Sequence, residues 1–140
     1  MGRVSFRVVP EREREMKVDL AEATEARFKE KSALNAFRRL MNEAEEAGFE
    51  PRYKRSVVKA VEFVREDDYK PYSAVPANGH FLFYLRQPLL RRFKDMFEQA
   101  ERRFGPGKPN RLEEYRLKIR DEAELEAALG WLREQGAWPR

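Results

Sequence analysis

The sequence predicts an α+β fold, with a mainly antiparallel sheet and about three helices in a single domain spanning residues 1–140. Some segments, such as residues 115–120, alternate apolar and charged side chains with the period of a strand that has one buried face. Others, such as residues 32–47 and 88–104, repeat apolar side chains at helical spacing. The predicted order is strands, helix, strand hairpin, helix, strand and helix, which is typical of α+β domains.

The first twenty residues contain two candidate strands. Residues 3–9 place Val4, Phe6 and Val8 on one side, and residues 16–20 show the same alternation. Between them, the charged run after Pro10 predicts a turn or an exposed extension.

The main helix is predicted over residues 32–47. Its apolar stripe is continuous, and Gly48 supplies a C-terminal stop. Ser32 and Asp19 each stand three residues before a polar side chain and mark candidate helix starts. Residues 21–31 are also predicted to be helical, although their apolar residues do not extend the same stripe.

Residues 52–65 support two interpretations. Their spacing of valines and alanine suits a helix, whereas their β-branched content suits a strand. We favour the strand, because the other predicted strands need sheet neighbours.

Asn78-Gly79 predicts a β-hairpin with a two-residue type I′ turn, in which both residues adopt positive φ. The second arm, residues 80–86, is apolar on both faces and is expected to be a central, covered strand. Pro76 has no amide hydrogen, so the first arm is expected at a sheet edge or with a bulge.

The last third of the chain predicts a helix, a loop, a strand and a final helix. The helix follows Pro88 and ends at Gly105, and residues 105–110 form the loop. A strand over residues 115–120 precedes the final helix, which Asp121 and Glu124 open with the spacing of a capping box.

Composition excludes several classes of site. With no cysteine, the chain has no disulfide, no thiolate metal site and no cysteine nucleophile. A single histidine excludes a multi-histidine zinc site within one chain. No apolar run reaches 18 residues and the start lacks a signal-peptide pattern, so we expect a cytoplasmic protein.

Basic charge is concentrated in two stretches of a chain whose formal net charge is +4. Residues 51–65 hold five cations and one acid, and residues 86–120 hold eleven cations and five acids. Residues 11–50 and 121–140 are acidic. Such asymmetry is typical of proteins with anionic partners, but it also arises when acidic and basic elements neutralise each other in the fold.

We therefore predict a small module that binds DNA or RNA by contacting phosphates through a basic surface, alone or as the recognition part of a larger assembly. The predicted contacts are Arg52, Lys54, Arg55, Lys59, Arg86, Arg91, Arg92, Lys94, Arg102, Arg103, Lys108, Arg111, Arg116, Lys118 and Arg120, with Arg3 and Arg7 on the first strand. Tyr53, Tyr69 and Tyr72 are candidates for base stacking. The alternative is a solvated surface paired with nearby glutamates.

Two other functions remain open. A protein-interaction or assembly module would use the strand over residues 113–120 as a pairing edge, or Trp131 and Trp138 as anchors of a partner or homodimer, unless these tryptophans belong to the core. A metal-dependent nuclease would need converging carboxylates, for which residues 65–70 and 113–118 are weak candidates.

The sequence does not point to a catalytic residue, a bound metal or a cofactor. No spacing provides His80 with a nucleophile and an orienting acid, so we interpret it as a histidine beside a turn.

Overall fold

The computed structural model describes residues 11–107 and 113–140. Within them, five antiparallel strands form one sheet in the order β1-β2-β3-β4-β5. The strands are β1 (Glu50–Tyr53), β2 (Val61–Arg65), β3 (Tyr69–Pro76), β4 (Phe81–Leu85) and β5 (Tyr115–Ile119). The helices are α1 (Glu11–Glu25), α2 (Lys31–Glu46), α3 (Gln87–Arg92), α4 (Met96–Phe104) and α5 (Glu122–Glu134). The predicted α+β class is confirmed, with more helices than about three.

Three predictions concern the first twenty residues: two strands and the charged extension between them. The strand over residues 3–9 lies outside the described residues. The extension after Pro10 and the strand over residues 16–20 are wrong, because both stretches belong to α1. Met16 and Val18 are exposed, so their alternation does not mark a buried face. The surrounding glutamates, arginines and alanines favour a helix, and Asp19 lies inside it rather than at its start.

Helix α2 confirms the main predicted helix. Its buried stripe consists of Ala33, Ala36, Phe37, Leu40 and Ala44. The helix begins at Lys31, and no side chain caps its first turn. The prediction that Ser32 caps the start of the helix is therefore wrong. Gly48 has a φ of +88°, which is the left-handed conformation that glycine tolerates best after a helix.

Residues 52–65 contribute to two strands instead of one. Strands β1 and β2 are joined by a loop over residues 54–60, so the strand interpretation holds at both ends of the segment. The two valines in its middle, Val57 and Val58, are 88% and 62% exposed. Their β-branched side chains therefore pair with no sheet neighbour.

The hairpin of β3 and β4 is confirmed, but its turn type is wrong. Neither Asn78 nor Gly79 adopts the positive φ that a type I′ turn requires. The Asn78 carbonyl accepts hydrogen bonds from the amides of Lys29 and Glu30, at 2.9 and 3.1 Å. The Asn78-Gly79 turn is therefore bound to the α1–α2 connection, and its backbone conformation differs from the type I′ turn that an Asn-Gly pair favours locally.

The edge position predicted for the first arm is also wrong, because β3 is the middle strand of the sheet. Pro76 is its last residue, where a missing amide hydrogen interrupts no ladder. The pairing of β2 with β3 does contain a register shift, between Phe63 and Arg65 at the other end. Strand β4 is internal, as predicted, with three buried residues alternating with two half-buried ones.

The helix predicted after Pro88 is divided into α3 and α4 by residues 93–95. The final helix is confirmed together with its cap: the Asp121 carboxylate accepts from the Glu124 amide at 2.8 Å. Glu124 in turn accepts from the Arg120 amide at 2.8 Å. Trp131 and Trp138 are buried in the core, which removes them as exposed anchors for a partner.

The sheet has one face packed by helices and one more open face. Helices α2, α4 and α5 and the C-terminal segment pack on the face that carries Tyr72, Phe83 and Tyr115. The opposite face carries the row Arg52, Glu62, Ser73, Tyr84 and Arg116, which are half-buried or exposed. Of the helices in the described part of the chain, none combines the length and apolar character needed to span a bilayer.

Candidate functional site

The fold separates the predicted phosphate-contacting residues instead of gathering them into one surface. Lys108 and Arg111, like Arg3 and Arg7, lie outside the described residues. The others fall into four places: the β1–β2 loop, the α3 region, the interior of the open face, and the free side of β5. Because β1 and β5 are the two edges of a five-stranded sheet, the first and last of these places are about 19 Å apart.

Arg86 forms ion pairs with two acids of the sheet region, which argues against its predicted role as a phosphate contact. Its guanidinium donates to Glu62 at 2.7 Å and to Glu114 at 3.1 Å. The three side chains are only 20%, 15% and 6% exposed. A phosphate would have to displace two carboxylates from a largely buried site, which costs more than an exposed contact returns.

The β1–β2 region contains Arg52, Lys54, Arg55 and Lys59. Arg52 donates to Asp68 at 2.9 Å, and this hydrogen bond, followed by the charge of Lys70, lowers the pKa of the Asp68 carboxyl. Arg55 donates to the sulfur of Met16 on α1. Lys54 is exposed and Lys59 half-buried. Two of the four cations therefore already have partners within the fold.

The α3 region brings a predicted cation and a predicted stacking residue together. The Arg92 guanidinium lies 3.8 Å from the centroid of the Tyr69 ring and covers one of its faces. Arg65, which we did not predict as a contact, shares a polar cleft with both of them and with Glu66 and Asp67. The acids in the same cleft offset the two arginines. Arg91 and Lys94 are exposed nearby along the chain.

The three predicted stacking residues, Tyr53, Tyr69 and Tyr72, differ in how much of their ring a nucleobase could reach. Tyr72 is fully buried and its hydroxyl donates to the Ala137 carbonyl at 2.7 Å, so its predicted stacking role is wrong. Tyr53 is half-buried against the core, and burial raises the pKa of its hydroxyl. Tyr69 has one face covered by Arg92. The sequence signal failed because a tyrosine beside basic residues occurs equally at a core edge.

The free side of β5 forms a groove of about 370 Å³, here called the β5 groove. Its lining includes Arg103 and Phe104 from α4, the whole of β5, and Arg120, Glu124, Ala127 and Ala128 from the segment that follows. Arg103, Arg116, Lys118 and Arg120 are its cations, and Glu124 is its acid. Arg102 is exposed on the adjoining turn of α4.

The charges of the β5 groove are arranged unevenly. Glu124 is engaged by Arg120, with a guanidinium contact of 3.3 Å in addition to the amide bond. Arg103 lies 5.0 Å from the centroid of the Phe104 ring, as a cation–π contact. The pKa of His80 is lowered by burial and by the charges of Lys118 and Arg120. His80 therefore lies within the positive electrostatic potential at one end of the groove.

The described residues do not provide the metal site that a metal-dependent nuclease would need. Across residues 11–107 and 113–140, no group of three or more potential ligands is placed to hold a metal ion. In the candidate stretch at residues 113–118, Glu114 is committed to Arg86. In the stretch at residues 65–70, Asp68 is committed to Arg52 and Lys70.

Sequence reasoning missed Phe104 and Glu124 as groove residues, and it missed Glu62 and Glu114 as the partners that neutralise Arg86. Glu124 was detectable, since its capping spacing to Asp121 places it beside the end of β5. The partners of Arg86 were not detectable, because Glu62 on β2 and Glu114 just before β5 lie 24 and 28 residues away in the sequence.

Comparisons with known proteins add no identity. No family model matches this chain, and no curated protein or solved structure matches it significantly.

Proposed function

We propose that this protein is a nucleic-acid-binding module that contacts phosphates through the β5 groove. The observation that carries the proposal is the placement of cations on both sides of this groove: Arg103 on α4 and Lys118 on β5. The acid that shares the groove is already bound to Arg120. A linear polyanion laid along β5 would meet Arg103 on one side of the groove and the exposed Lys118 on the other.

Binding a nucleic acid through its phosphates requires only positive charge beside the ligand and no catalytic group. Each phosphate neutralised by lysine or arginine releases condensed counterions, so binding is favoured at low salt and falls as salt rises. Such contacts position a nucleic acid without reading its sequence. The proposal therefore includes affinity with little sequence preference.

The test is the binding of a fluorescent 20-nucleotide strand and of its duplex, followed by anisotropy at several salt concentrations. We expect binding whose log association constant falls linearly with log salt. The double variant Arg103→Ala/Lys118→Ala is expected to bind roughly tenfold more weakly near 0.1 M salt, with a shallower slope by about 1.4–1.8 for two lost contacts.

The matched control is Lys17→Ala/Lys54→Ala, which removes the same charge beside the opposite edge strand. Lys17 is 59% exposed and contacts Glu50 of β1 at 3.8 Å, and Lys54 is exposed just beyond β1. We expect this variant to bind like the wild type. Absent binding, salt-insensitive binding or equal losses in both double variants would each contradict the proposal.

A second candidate function, protein assembly, is favoured by a separate observation. The exposed large hydrophobic residues of the described chain are Met16, Val18, Val57 and Val58, and all lie on α1 and the β1–β2 loop. The loop contacts α1, because Arg55 donates to the sulfur of Met16, and it contacts the α1–α2 connection, because Arg27 donates to the Val57 carbonyl at 2.7 Å. Met16 and the two valines of the loop therefore lie near one another, and exposed apolar side chains that lie together are typical of interaction surfaces.

Light scattering tests the second candidate. If the patch joins copies of the chain, the wild type is larger than a monomer and Val57→Ser/Val58→Ser returns it to monomeric size. A monomeric wild type would contradict self-assembly through this patch.

A further inference from the structure

The loop that joins β1 and β2 has an apolar pair at its tip that the fold does not cover. Val57 and Val58 are 88% and 62% exposed, more than any other large hydrophobic side chain of the described residues. The loop extends beyond the last paired residues of the two strands, where the Lys54 amide donates to the Ala60 carbonyl at 2.9 Å. Exposed aliphatic surface is unfavourable in water, so a ligand that covers these valines gains free energy by doing so.

The backbone at this tip is already hydrogen-bonded within the protein. The Val57 carbonyl accepts from the Arg27 guanidinium at 2.7 Å, and the Val58 carbonyl accepts from the Ser56 hydroxyl. A carbonyl that enters an apolar medium without a partner is strongly unfavourable. Because both carbonyls have partners from this chain, the two valines can leave water at a lower free-energy cost.

Three cations flank the valines, and no acid lies among them. Lys54 and Arg55 precede the pair and Lys59 follows it, and residues 51–61 contain no aspartate or glutamate. The ion pairs at this edge of the sheet are formed by other cations, and none involves these three within the part of the chain that the structure describes. The contact of Arg55 with the Met16 sulfur leaves its charge in place, because a thioether is neutral. The loop therefore has an apolar tip with unpaired positive charge on both sides of it.

This combination matches the surface of an anionic lipid bilayer. Proteins that lie on such a surface place apolar side chains at the boundary between head groups and acyl chains, and anionic lipids strengthen their binding. Lysine and arginine suit the rim of the contact, because their alkyl stems lie along apolar surface while their charges remain with the head groups. Each cation near the surface strengthens binding by roughly fivefold.

A protein partner suits this tip less well. A specific protein interface takes about 20–30 residues from each partner, with aromatic residues enriched and lysine depleted. Residues 54–60 contain two lysines and no aromatic residue, and valine is uncommon among the residues that dominate binding energy. A fluid bilayer adapts to a short loop and needs no matching surface of its own. Nucleic acid would contact the cations but leave the valines in water.

We infer that the tip of the β1–β2 loop binds the surface of an anionic lipid bilayer, with Val57 and Val58 at the acyl boundary and Lys54, Arg55 and Lys59 among the head groups. This site is separate from the β5 groove, because β1 and β5 are opposite edges of the sheet. The inference therefore goes beyond the proposed function, and its experiments contain no nucleic acid.

The first experiment measures flotation of the full chain with extruded vesicles. One set contains phosphatidylcholine alone, and the other contains phosphatidylcholine and phosphatidylserine at roughly two to one. We expect the anionic set to bind at least about tenfold more tightly than the neutral set, and this binding to weaken as salt rises. Absent binding, or equal binding to both sets, would overturn the inference.

The apolar contact is tested by Val57→Ser/Val58→Ser. Loss of two buried aliphatic side chains is expected to weaken binding to anionic vesicles about tenfold. The matched single variants are Val58→Ser, which should lose part of the affinity, and Val18→Ser on α1, which is similarly exposed and should bind like the wild type. An unaffected double variant would overturn the inference, and so would a loss in Val18→Ser that equals the loss in Val58→Ser.

The charge contact is tested by Lys54→Ala/Lys59→Ala, which is also expected to bind anionic vesicles about tenfold more weakly. The matched control is Arg91→Ala/Lys94→Ala, at exposed positions in and just after α3. Helix α3 follows β4 at the end of the sheet opposite to the β1–β2 loop, so the control should bind like the wild type. Equal losses in the two variants would assign the binding to net charge and overturn the inference.

Fluorescence separates insertion of the tip from adsorption by charge alone. Val57→Trp introduces an indole at the tip, whereas Trp131 and Trp138 are buried and contribute a constant background. We expect anionic vesicles to shift the emission of Val57→Trp to shorter wavelengths, and lipids brominated on their acyl chains to quench it. An emission spectrum that the vesicles leave unchanged would overturn the inference.

Self-assembly through the same valines, the second candidate function, is the competing outcome. Light scattering without vesicles measures it. A monomer that floats with anionic vesicles supports the bilayer contact. A dimer that Val57→Ser/Val58→Ser dissociates, and that does not float, would assign the loop to a second copy of the chain and overturn the inference.

Discussion

The two edges of the sheet carry similar numbers of basic residues but differ in how the fold uses them. At the β1 edge, Arg52 is bound to Asp68, Lys17 contacts Glu50, and α1 packs alongside the strand. At the β5 edge, the basic side chains line a groove whose acid is already engaged. The number of cations in a segment therefore does not determine how many of them can contact a ligand.

The β5 edge also has the more completely buried anchor. Tyr115 is buried against Phe97, and its hydroxyl donates to the Gly105 carbonyl at 2.7 Å. Tyr53, on the same sheet face of β1, is half-buried. Tyr115, which lines the groove, is therefore held by more burial than Tyr53 is at the β1 edge.

The largest expected effect comes from truncating these two tyrosines. Tyr115→Ala should lower the free energy of unfolding by about 3–5 kcal/mol, because it removes a buried ring and a hydrogen bond. Tyr53→Ala should cost about 1–2 kcal/mol, since its ring is partly exposed. Urea unfolding of both variants measures the difference, and equal losses would contradict the contrast between the edges.

The next effect concerns the ion-pair residue between the edges. Arg86→Met should lower the free energy of unfolding by about 2–4 kcal/mol, because it leaves Glu62 and Glu114 without their cation in a largely buried site. The triple variant Arg86→Met/Glu62→Gln/Glu114→Gln should recover part of this loss. Thermal and urea unfolding test both, with Arg52→Met as the exposed control, for which we expect no measurable change.

A smaller effect is expected from the acid of the groove. Glu124→Gln keeps an acceptor for the Arg120 amide and removes the negative charge, so nucleic-acid affinity should rise about twofold to fivefold with little change in stability. Glu124→Ala should raise affinity similarly but cost about 1 kcal/mol of stability through the lost cap. Anisotropy and urea unfolding separate the two effects. Glu46→Ala, on exposed α2 surface, is the control, and an equal gain there would indicate net charge alone.

The smallest effect is a change in the titration of His80, the single histidine of the chain. Its pKa is lowered by burial, then by Lys118 and Arg120. Lys118→Ala should therefore raise the pKa, and Lys54→Ala beside the other edge should leave it unchanged. Proton NMR of the imidazole measures this directly. A bound polyanion should also raise the pKa, and an unchanged titration would place the ligand elsewhere.

The same shift has a defined consequence for stability. Because the native pKa is lowered, the unfolded chain binds more protons between the native value and the ordinary one. The contribution of His80 to stability is thus present above its ordinary pKa and is lost as the pH falls through the native pKa. Comparing wild type with His80→Gln by thermal unfolding across that range isolates this contribution.

Local patterns were sufficient for much of the fold. The buried stripe of α2, the alternation in β5 and the capping box of α5 each involve residues within a few positions of one another. Local patterns failed for two different reasons. Residues 16–20 alternate like a strand, but they lie within a longer stretch of helix-forming residues and belong to α1. The Asn78-Gly79 turn is bound to the α1–α2 connection, which is distant in the sequence.

The sequence by itself determined the α+β class, the main helices, the hairpin and the excess of basic residues in two stretches. Only the tertiary structure decided which of those residues face water without a matching acid. Glu62 and Glu114 reach Arg86 because strand order and register bring three separate strands into line, and Lys118 faces a groove because β5 is the last strand of the sheet. Helix and strand periods act over a few residues, but charge neutralisation acts through space between residues far apart in the chain.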